Sequence, residues 1–210
     1  MIRILIADDH PVVRQGLKRI IEESPGMTVT GEASTGQEVL QDLRQLDCDV
    51  VLLDISMPGI SGLDVLKQIR LEKRDLPVLV LSIHSEEEYA VRALRAGASG
   101  YLTKTSAPEE LIKAIRRVNG GKKYVTSTLA EKLAEHLDVD AERPPHETLA
   151  DREYQVFCMI ARGKAGKEIA AELCLSPKTV STYRTRILEK MKMKANAEII
   201  RYAMKQGLVE

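Results

Sequence analysis

The chain has 210 residues, 44% of them hydrophobic, which is enough for two domains of unequal size, each with its own core. Only 3% is aromatic, with one Phe and no Trp, and no apolar run reaches bilayer length or resembles a signal peptide; a membrane-spanning chain is excluded and a soluble, cytoplasmic one expected. The formal net charge of +0 conceals an asymmetry: residues 148 to 210 hold twelve Lys and Arg against seven Asp and Glu, a balance of +5, so the first 147 residues carry −5. That division points to an acidic site in the first part and a polyanionic partner for the second.

In chain order, Ile2–Ala7 reads as a strand, Val12–Glu23 as a helix presenting Val13, Leu17, Ile20 and Ile21 on one face, and Met27–Ala33 as a second strand. Gln37–Leu46 is helical, Val50–Asp54 is a strand buried on both faces, Leu63–Lys73 is helical, and Pro77–Ser82 is another buried strand. Glu86–Ala96 follows as a helix stopped by Gly97, then Gly100–Thr103 as a short strand and Pro108–Asn119 as a helix with Pro near its first turn. Five strand and helix alternations predict an α/β doubly wound, five-stranded parallel sheet over residues 1–122. A linker is expected over residues 123–147, with a short helix at Leu129–Leu137 and a hinge from Asp138 to Glu147. Residues 148–210 show only helical periodicity, as a small all-α domain. The predicted helices are Asp151–Arg162, Lys167–Cys174 and Pro177–Met193, the last capped by Ser176 with Pro177 at its first position. Cys48, Cys158 and Cys174 are scattered, odd in number and without metal-site spacing, and read as reduced packing residues.

The chemistry collects at strand ends. Asp54 closes the central strand where an open α/β sheet binds its ligands, and Asp8 and Asp9 follow the first strand onto the same edge. Three converging carboxylates call for a hard divalent cation with oxygen ligands, most plausibly Mg²⁺. Ser82 and Lys104 end the fourth and fifth strands and add a hydroxyl and a point positive charge, which completes a phosphoryl-transfer constellation. A phosphatase with an aspartyl nucleophile would need a second Asp two residues beyond it as general acid, where this chain has Ser56. His10 reads as a turn residue. In the second part, the helix from Pro177 buries Val180, Ile187, Leu188 and Met191 and carries Lys178, Arg184, Arg186, Lys190, Lys192 and Lys194 on its other faces, with Glu189 opposing. Two short helices joined by a tight turn, the second basic, suggest a helix-turn-helix for double-stranded DNA.

Asp8–Asp9, Asp54, Ser82, Tyr101 and Lys104 together resemble the receiver domain of two-component response regulators. Lys167–Glu168–Ile169–Ala170, Leu175–Ser176, Thr179–Val180 and Ile187–Leu188–Glu189–Lys190–Met191 are similar to the LuxR-type output domain, and the whole resembles the NarL/FixJ class. The resemblance implies a flavodoxin-like receiver with Asp54 as phosphoacceptor for a sensor histidine kinase. It implies an Mg²⁺ site of Asp8, Asp9, Asp54 and the Ser56 backbone carbonyl, with Ser82, Tyr101 and Lys104 as switch and phosphoryl-binding residues. Ser56 and His84 occupy positions that tune hydrolysis of the aspartyl phosphate. It further implies a homodimer on activation and a promoter-binding transcription regulator rather than a dedicated enzyme; Ala197–Lys205 is the segment expected to join the dimer. Lys178, Thr179, Ser181, Thr182, Arg184, Thr185, Arg186 and Lys190 are the expected DNA contacts. Three departures stand out: Gly166 replaces a frequent Asn, Tyr183 stands where His is common, and Ser181, Thr182 and Thr185 replace lysines that many members use for bases, so the target sequence should differ.

Overall fold

Val50–Asp54 (β3) and Val78–Ser82 (β4) are buried at every position, as expected of strands covered on both faces. With Ile2–Ala7 (β1), Met27–Ala33 (β2) and Gly100–Thr103 (β5) they form one parallel sheet in the order β2-β1-β3-β4-β5, the doubly wound arrangement read from the sequence. The computed structural model describes residues 1–83, 86–126, 129–130 and 144–209. The chain separates into two compact units, Met1–Leu133 and Ala134–Glu210, so the cut falls within the stretch expected to be linker.

In the first unit the helices are Pro11–Glu22 (α1), Gly36–Gln45 (α2), Gly62–Glu72 (α3), Glu86–Arg95 (α4) and Pro108–Asn119 (α5). Strand alternation sends Ile4, Ile6, Val50, Leu52, Leu79, Leu81 and Leu102 to one face, where they pack with Ile21 of α1 and Leu111, Ala114, Ile115 and Val118 of α5. Each β/α junction is fixed locally. Thr35 accepts from the Glu38 N–H to cap α2, and Ser61 does the same for Asp64 at the start of α3, while Pro11 and Pro108 open α1 and α5.

The second unit holds a 3₁₀ turn at Pro145–Thr148 and the helices Asp151–Ala161 (α6), Gly166–Glu172 (α7), Pro177–Lys190 (α8) and Asn196–Lys205 (α9). Residues 131–137 of the expected Leu129–Leu137 helix lie outside the described residues. Two details differ from the sequence expectation. Pro145–Thr148 forms a 3₁₀ turn where a hinge was expected. The basic helix stops at Lys190 rather than Met193. Its end is a Schellman motif, with Lys192 N–H donating to Glu189 O at 3.1 Å and Met193 N–H to Leu188 O at 2.8 Å. Lys192 takes the left-handed position with φ of 54°, and Cys174 does so at 52° after α7. Neither is the Gly that would mark a helix end in sequence.

One glycine positions the site. A Cβ on Gly62 would stand 2.1 Å from the Asp54 carbonyl oxygen and 2.7 Å from Ile55 Cα, so α3 starts in direct contact with the end of β3. Gly62→Ala should therefore push α3 off the strand and cost about 1–3 kcal/mol, the range for overpacking a core. Urea unfolding of the full chain measures this; an unchanged midpoint would show that the junction yields freely.

Candidate functional site

The sheet register delivers the acidic residues to one edge. Ala7 pairs with Leu53 and Asp54 with Leu81, so Asp8, Asp9 and Asp54 leave adjacent strands side by side, and Ser82 pairs with Thr103, which puts Lys104 next to them. Asp8 and Asp54 are each 1% exposed. Lys104 Nζ lies 2.6 Å from Asp8 Oδ2 and 2.8 Å from Asp54 Oδ2, bridging the two. The other Asp54 oxygen accepts the Ser56 N–H at 3.0 Å, from the loop just after β3. Ser82 and Tyr101 are both fully buried, so the Tyr101 ring stands inside the fold in this structure.

Burial pushes the Asp54 carboxyl above the usual carboxylate range, against the pull of Lys104 and the Ser56 N–H, while the neighbouring Asp8 charge adds to the rise. Lys104 is also raised. Burial opposes its charge, but the combined attraction of Asp54 and Asp8 outweighs it. One ammonium thus faces the carboxylates of Asp8, Asp9 and Asp54, whose oxygens, with His10, lie within 4.8 Å of one another. That excess of negative charge fits a divalent cation with oxygen ligands.

The structure also supplies a residue that the sequence did not single out. Arg14, one turn into α1, donates from Nη1 to the Asp8 carbonyl oxygen at 2.6 Å and has its Nε 3.6 Å from Glu32 on β2. It braces the loop that carries the acidic pair. His84, expected to tune hydrolysis, lies outside the described residues.

In the second unit Lys178, Ser181, Thr182, Thr185, Arg186 and Lys190 are exposed on α8, and Thr179 and Arg184 are half-buried. Thr179 belongs partly to the cap, since its N–H donates to Ser176 Oγ at 3.0 Å. The hydroxyls of Thr182 and Thr185 donate back to the carbonyls of Lys178 and Ser181, at 3.0 and 3.1 Å, which leaves their oxygens as acceptors toward a partner. Two of the expected DNA contacts also bind partners within the unit. Arg184 Nε donates to Asn196 Oδ1 at 2.7 Å, tying α8 to the start of α9. Lys190 Nζ donates at 2.6 Å to Glu153 Oε2, the oxygen that also takes the Ala150 N–H at 2.9 Å to cap α6. The spacing Ala150-x-x-Glu153 signals that cap, but no sequence signal joins Glu153 to Lys190.

Comparison with known proteins matches both units to families. Residues 4–116 match the response regulator receiver domain, and residues 147–203 match the bacterial regulatory proteins of the luxR family. The chain belongs to the response regulators with a LuxR-type output domain. It is 39% identical over 209 residues to the response regulator UvrY of Escherichia coli K12, covering 99% of this chain and 96% of that protein. To the response regulator GacA of Pseudomonas aeruginosa it is 38% identical over 211 residues, covering 100% and 99%. Among solved structures, RcsB of Salmonella enterica serovar Typhimurium, bound to promoter DNA in the presence of a phosphomimetic, aligns with a TM-score of 0.66 and 26% identity over 97% of this chain and 99% of that one. Within this response regulator, no described helix is long and apolar enough to cross a membrane.

The inward contacts separate two kinds of basic residue on α8. Lys190→Ala should strip a buried carboxylate of its cation and destabilise the output unit by an amount between the ~1 kcal/mol of an exposed pair and the ~3–5 kcal/mol of a buried one. Arg186→Ala should stay within about 0.5 kcal/mol of the parent. Thermal unfolding of the two variants distinguishes them, and equal stability would show that the Glu153–Lys190 pair contributes nothing.

Proposed function

We propose that a sensor histidine kinase transfers a phosphoryl group to Asp54, and that the modified receiver promotes dimerisation and binding of the output domain to promoter DNA. The observation that carries this reading is the grip on Asp54: a buried carboxylate at the end of β3, held by Lys104 at 2.8 Å and by the Ser56 N–H at 3.0 Å, beside two further carboxylates. Asp54 acts as nucleophile on phosphorus; the P–N bond to the kinase histidine breaks as the P–O bond forms, and the imidazole leaves with the electron pair.

Asp8, Asp9, Asp54 and the Ser56 carbonyl would hold Mg²⁺, which when bound supplies positive charge against the carboxylates and the incoming phosphoryl oxygens. Relieved of part of its duty to Asp8, Lys104 is placed to pair with a phosphoryl oxygen. Ser82 is the hydroxyl at the neighbouring strand end, and with Tyr101 beside it on β5 it would convey the new charge to the face built from α4, β5 and α5. Slow hydrolysis of the acyl phosphate would end the signal, with Ser56 and His84 shaping water access.

On the output side, Lys178, Ser181, Thr182, Thr185 and Arg186 form the exposed side of α8 that would enter the major groove, with Thr179, Arg184 and Lys190 at its flanks. Met204 on α9 is 61% exposed, a large apolar side chain suited to a second copy on DNA.

Asp54→Asn should fold and accept no phosphoryl group from a small acyl phosphate with divalent ion; hydroxylamine-sensitive labelling that persists in the variant would overturn the assignment. Arg186→Ala should weaken binding to specific and random duplex alike and lower the salt slope by roughly one. Thr182→Ala and Thr185→Ala should instead change preference among sites by about 1–3 kcal/mol per lost base contact. Titrations at several salt concentrations separate the two behaviours, and a purely specificity-changing Arg186→Ala would reverse the roles.

A further inference from the structure

The edge of the sheet opposite Asp54 holds a cleft that phosphoryl transfer does not use. It opens at the starts of β4 and β5, where the end of α3, the turn before β5 and the end of α5 meet, and encloses about 350 Å³. That is the small end of the range for ligand clefts, about 300–1,000 Å³. Its walls are set by the backbone. Gly97 takes φ of 101° to turn from α4 toward β5, and a Cβ there would press on the Arg70 stem at 3.0 Å. Gly121, at φ of 74°, closes α5: its N–H donates to Val118 O at 3.0 Å, and the Lys122 N–H to Arg117 O at 3.2 Å. Lys122 and Lys123 are thereby carried across to β5, where the Tyr124 N–H donates to Ser99 O at 2.9 Å.

The lining is cationic. Arg70, Arg74, Lys122 and Lys123 share the cleft with one carboxylate, Asp75, a balance of +3. Arg70 Nε donates to Gly97 O at 2.8 Å and its Nη1 to Leu76 O at 2.6 Å, while Lys123 Nζ donates to Ala98 O. Carbonyls at the end of a helix carry only about half a negative charge between them, so they hold these two cations in place without neutralising them. The effect shows in both groups. Burial lowers the Arg70 guanidinium from its ordinary range against the pull of Asp75, and burial and then Arg70 lower the Lys123 ammonium. Bracing of helix ends accounts for Arg70 and Lys123, but not for the other two. Arg74 and Lys122 are exposed, and among the described residues neither side chain makes a hydrogen bond or an ion pair, so both charges remain for a ligand.

We propose that this cleft binds a small anion bearing a diphosphate group, held by Arg70, Arg74, Lys122 and Lys123. At about −1.5 to −2 per phosphoryl group, a diphosphate matches the balance of the lining, and its many oxygens suit the fork of an Arg and the point charge of a Lys. A single carboxylate would leave most of that charge unmet. Bound there, the anion would join α3, the turn before β5 and the residues that lead out of the receiver. The exit of the receiver would then answer to a metabolite, on the edge away from Asp54, as well as to the change proposed at Asp54 itself.

The test uses the full-length chain without divalent ion, with inorganic pyrophosphate as the probe and citrate as a polyanion that lacks phosphorus. Calorimetry at physiological salt should show one pyrophosphate bound per chain, and citrate should bind more weakly. Amide resonances of Gly97, Ser99 and Gly121 should shift with saturation while those of α8 and of Lys104 stay in place. The double variant Arg74→Gln, Lys122→Gln alters only exposed side chains and should keep its unfolding midpoint. Its pyrophosphate affinity should fall by at least about tenfold, since each charge-assisted hydrogen bond lost is worth about that factor or more. An affinity unchanged in the double variant, or shifts confined to α8 or to Lys104, would move the anion to another basic surface and overturn the proposal. Citrate that binds as tightly as pyrophosphate would overturn the ligand class, and a chain that binds neither anion would overturn the site.

Discussion

The contact between Lys104 and the carboxylates of Asp8 and Asp54 is the constraint around which the first unit is arranged. Two carboxylates that are almost wholly buried cannot remain charged in a protein interior without compensation, and a single ammonium does not neutralise them together with Asp9. Burial raises the Asp54 carboxyl as a result, and the site stands ready to accept more positive charge. A phosphoacceptor, as proposed for Asp54, needs this property: the nucleophile must be unprotonated during transfer, and a divalent ion held there would favour that state and balance the charge the transfer brings in.

Backbone geometry makes that arrangement repeatable. Four strand ends supply Asp8 and Asp9, Asp54, Ser82 and Lys104 because parallel register aligns their carboxyl termini, and no long loop has to search for them. The junctions add precision. Gly62 lets α3 start against the Asp54 carbonyl, Ser61 and Asp64 close its first turn, and Arg14 holds the Asp8 carbonyl from α1. Each secures the backbone that carries an acidic side chain, while the Asp54 carboxylate itself is held by Lys104 and the Ser56 N–H.

This division explains which parts were legible in the sequence. Buried strands declare themselves as unbroken aliphatic runs, and a carboxylate or lysine placed at the end of such a run is visible without any structure, so the sheet and its charged edge could be read directly. Arg14 and Gly62 could not. An Arg on an amphipathic helix and a Gly after a Ser look ordinary until the helix is laid against the strand, and only the distance from a hypothetical Cβ to the Asp54 oxygen reveals why Gly62 stands there. The end of α8 was missed for a related reason. Met191 and Met193 prolong an apolar rhythm, and the left-handed turn that stops the helix is made by Lys192, a residue with no special liking for that conformation.

In the output unit the same positive helix serves two masters, and the geometry shows how they are kept apart. Lys190 and the Arg184 Nε are committed to Glu153 and Asn196, so α8 is fastened to α6 near its end and to α9 near its middle. Lys178, Ser181, Thr182, Thr185 and Arg186 remain exposed around those anchors. A groove-reading helix needs both sets, because a base contact discriminates only if the helix that carries it cannot shift to accommodate the wrong base. With the hydroxyls of Thr182 and Thr185 donating to their own helix, those positions present acceptors and methyl groups flanked by cations. If α8 enters the groove as proposed, such a surface would select base-edge donors and thymine methyls and take most of its affinity from phosphates within reach of the cations.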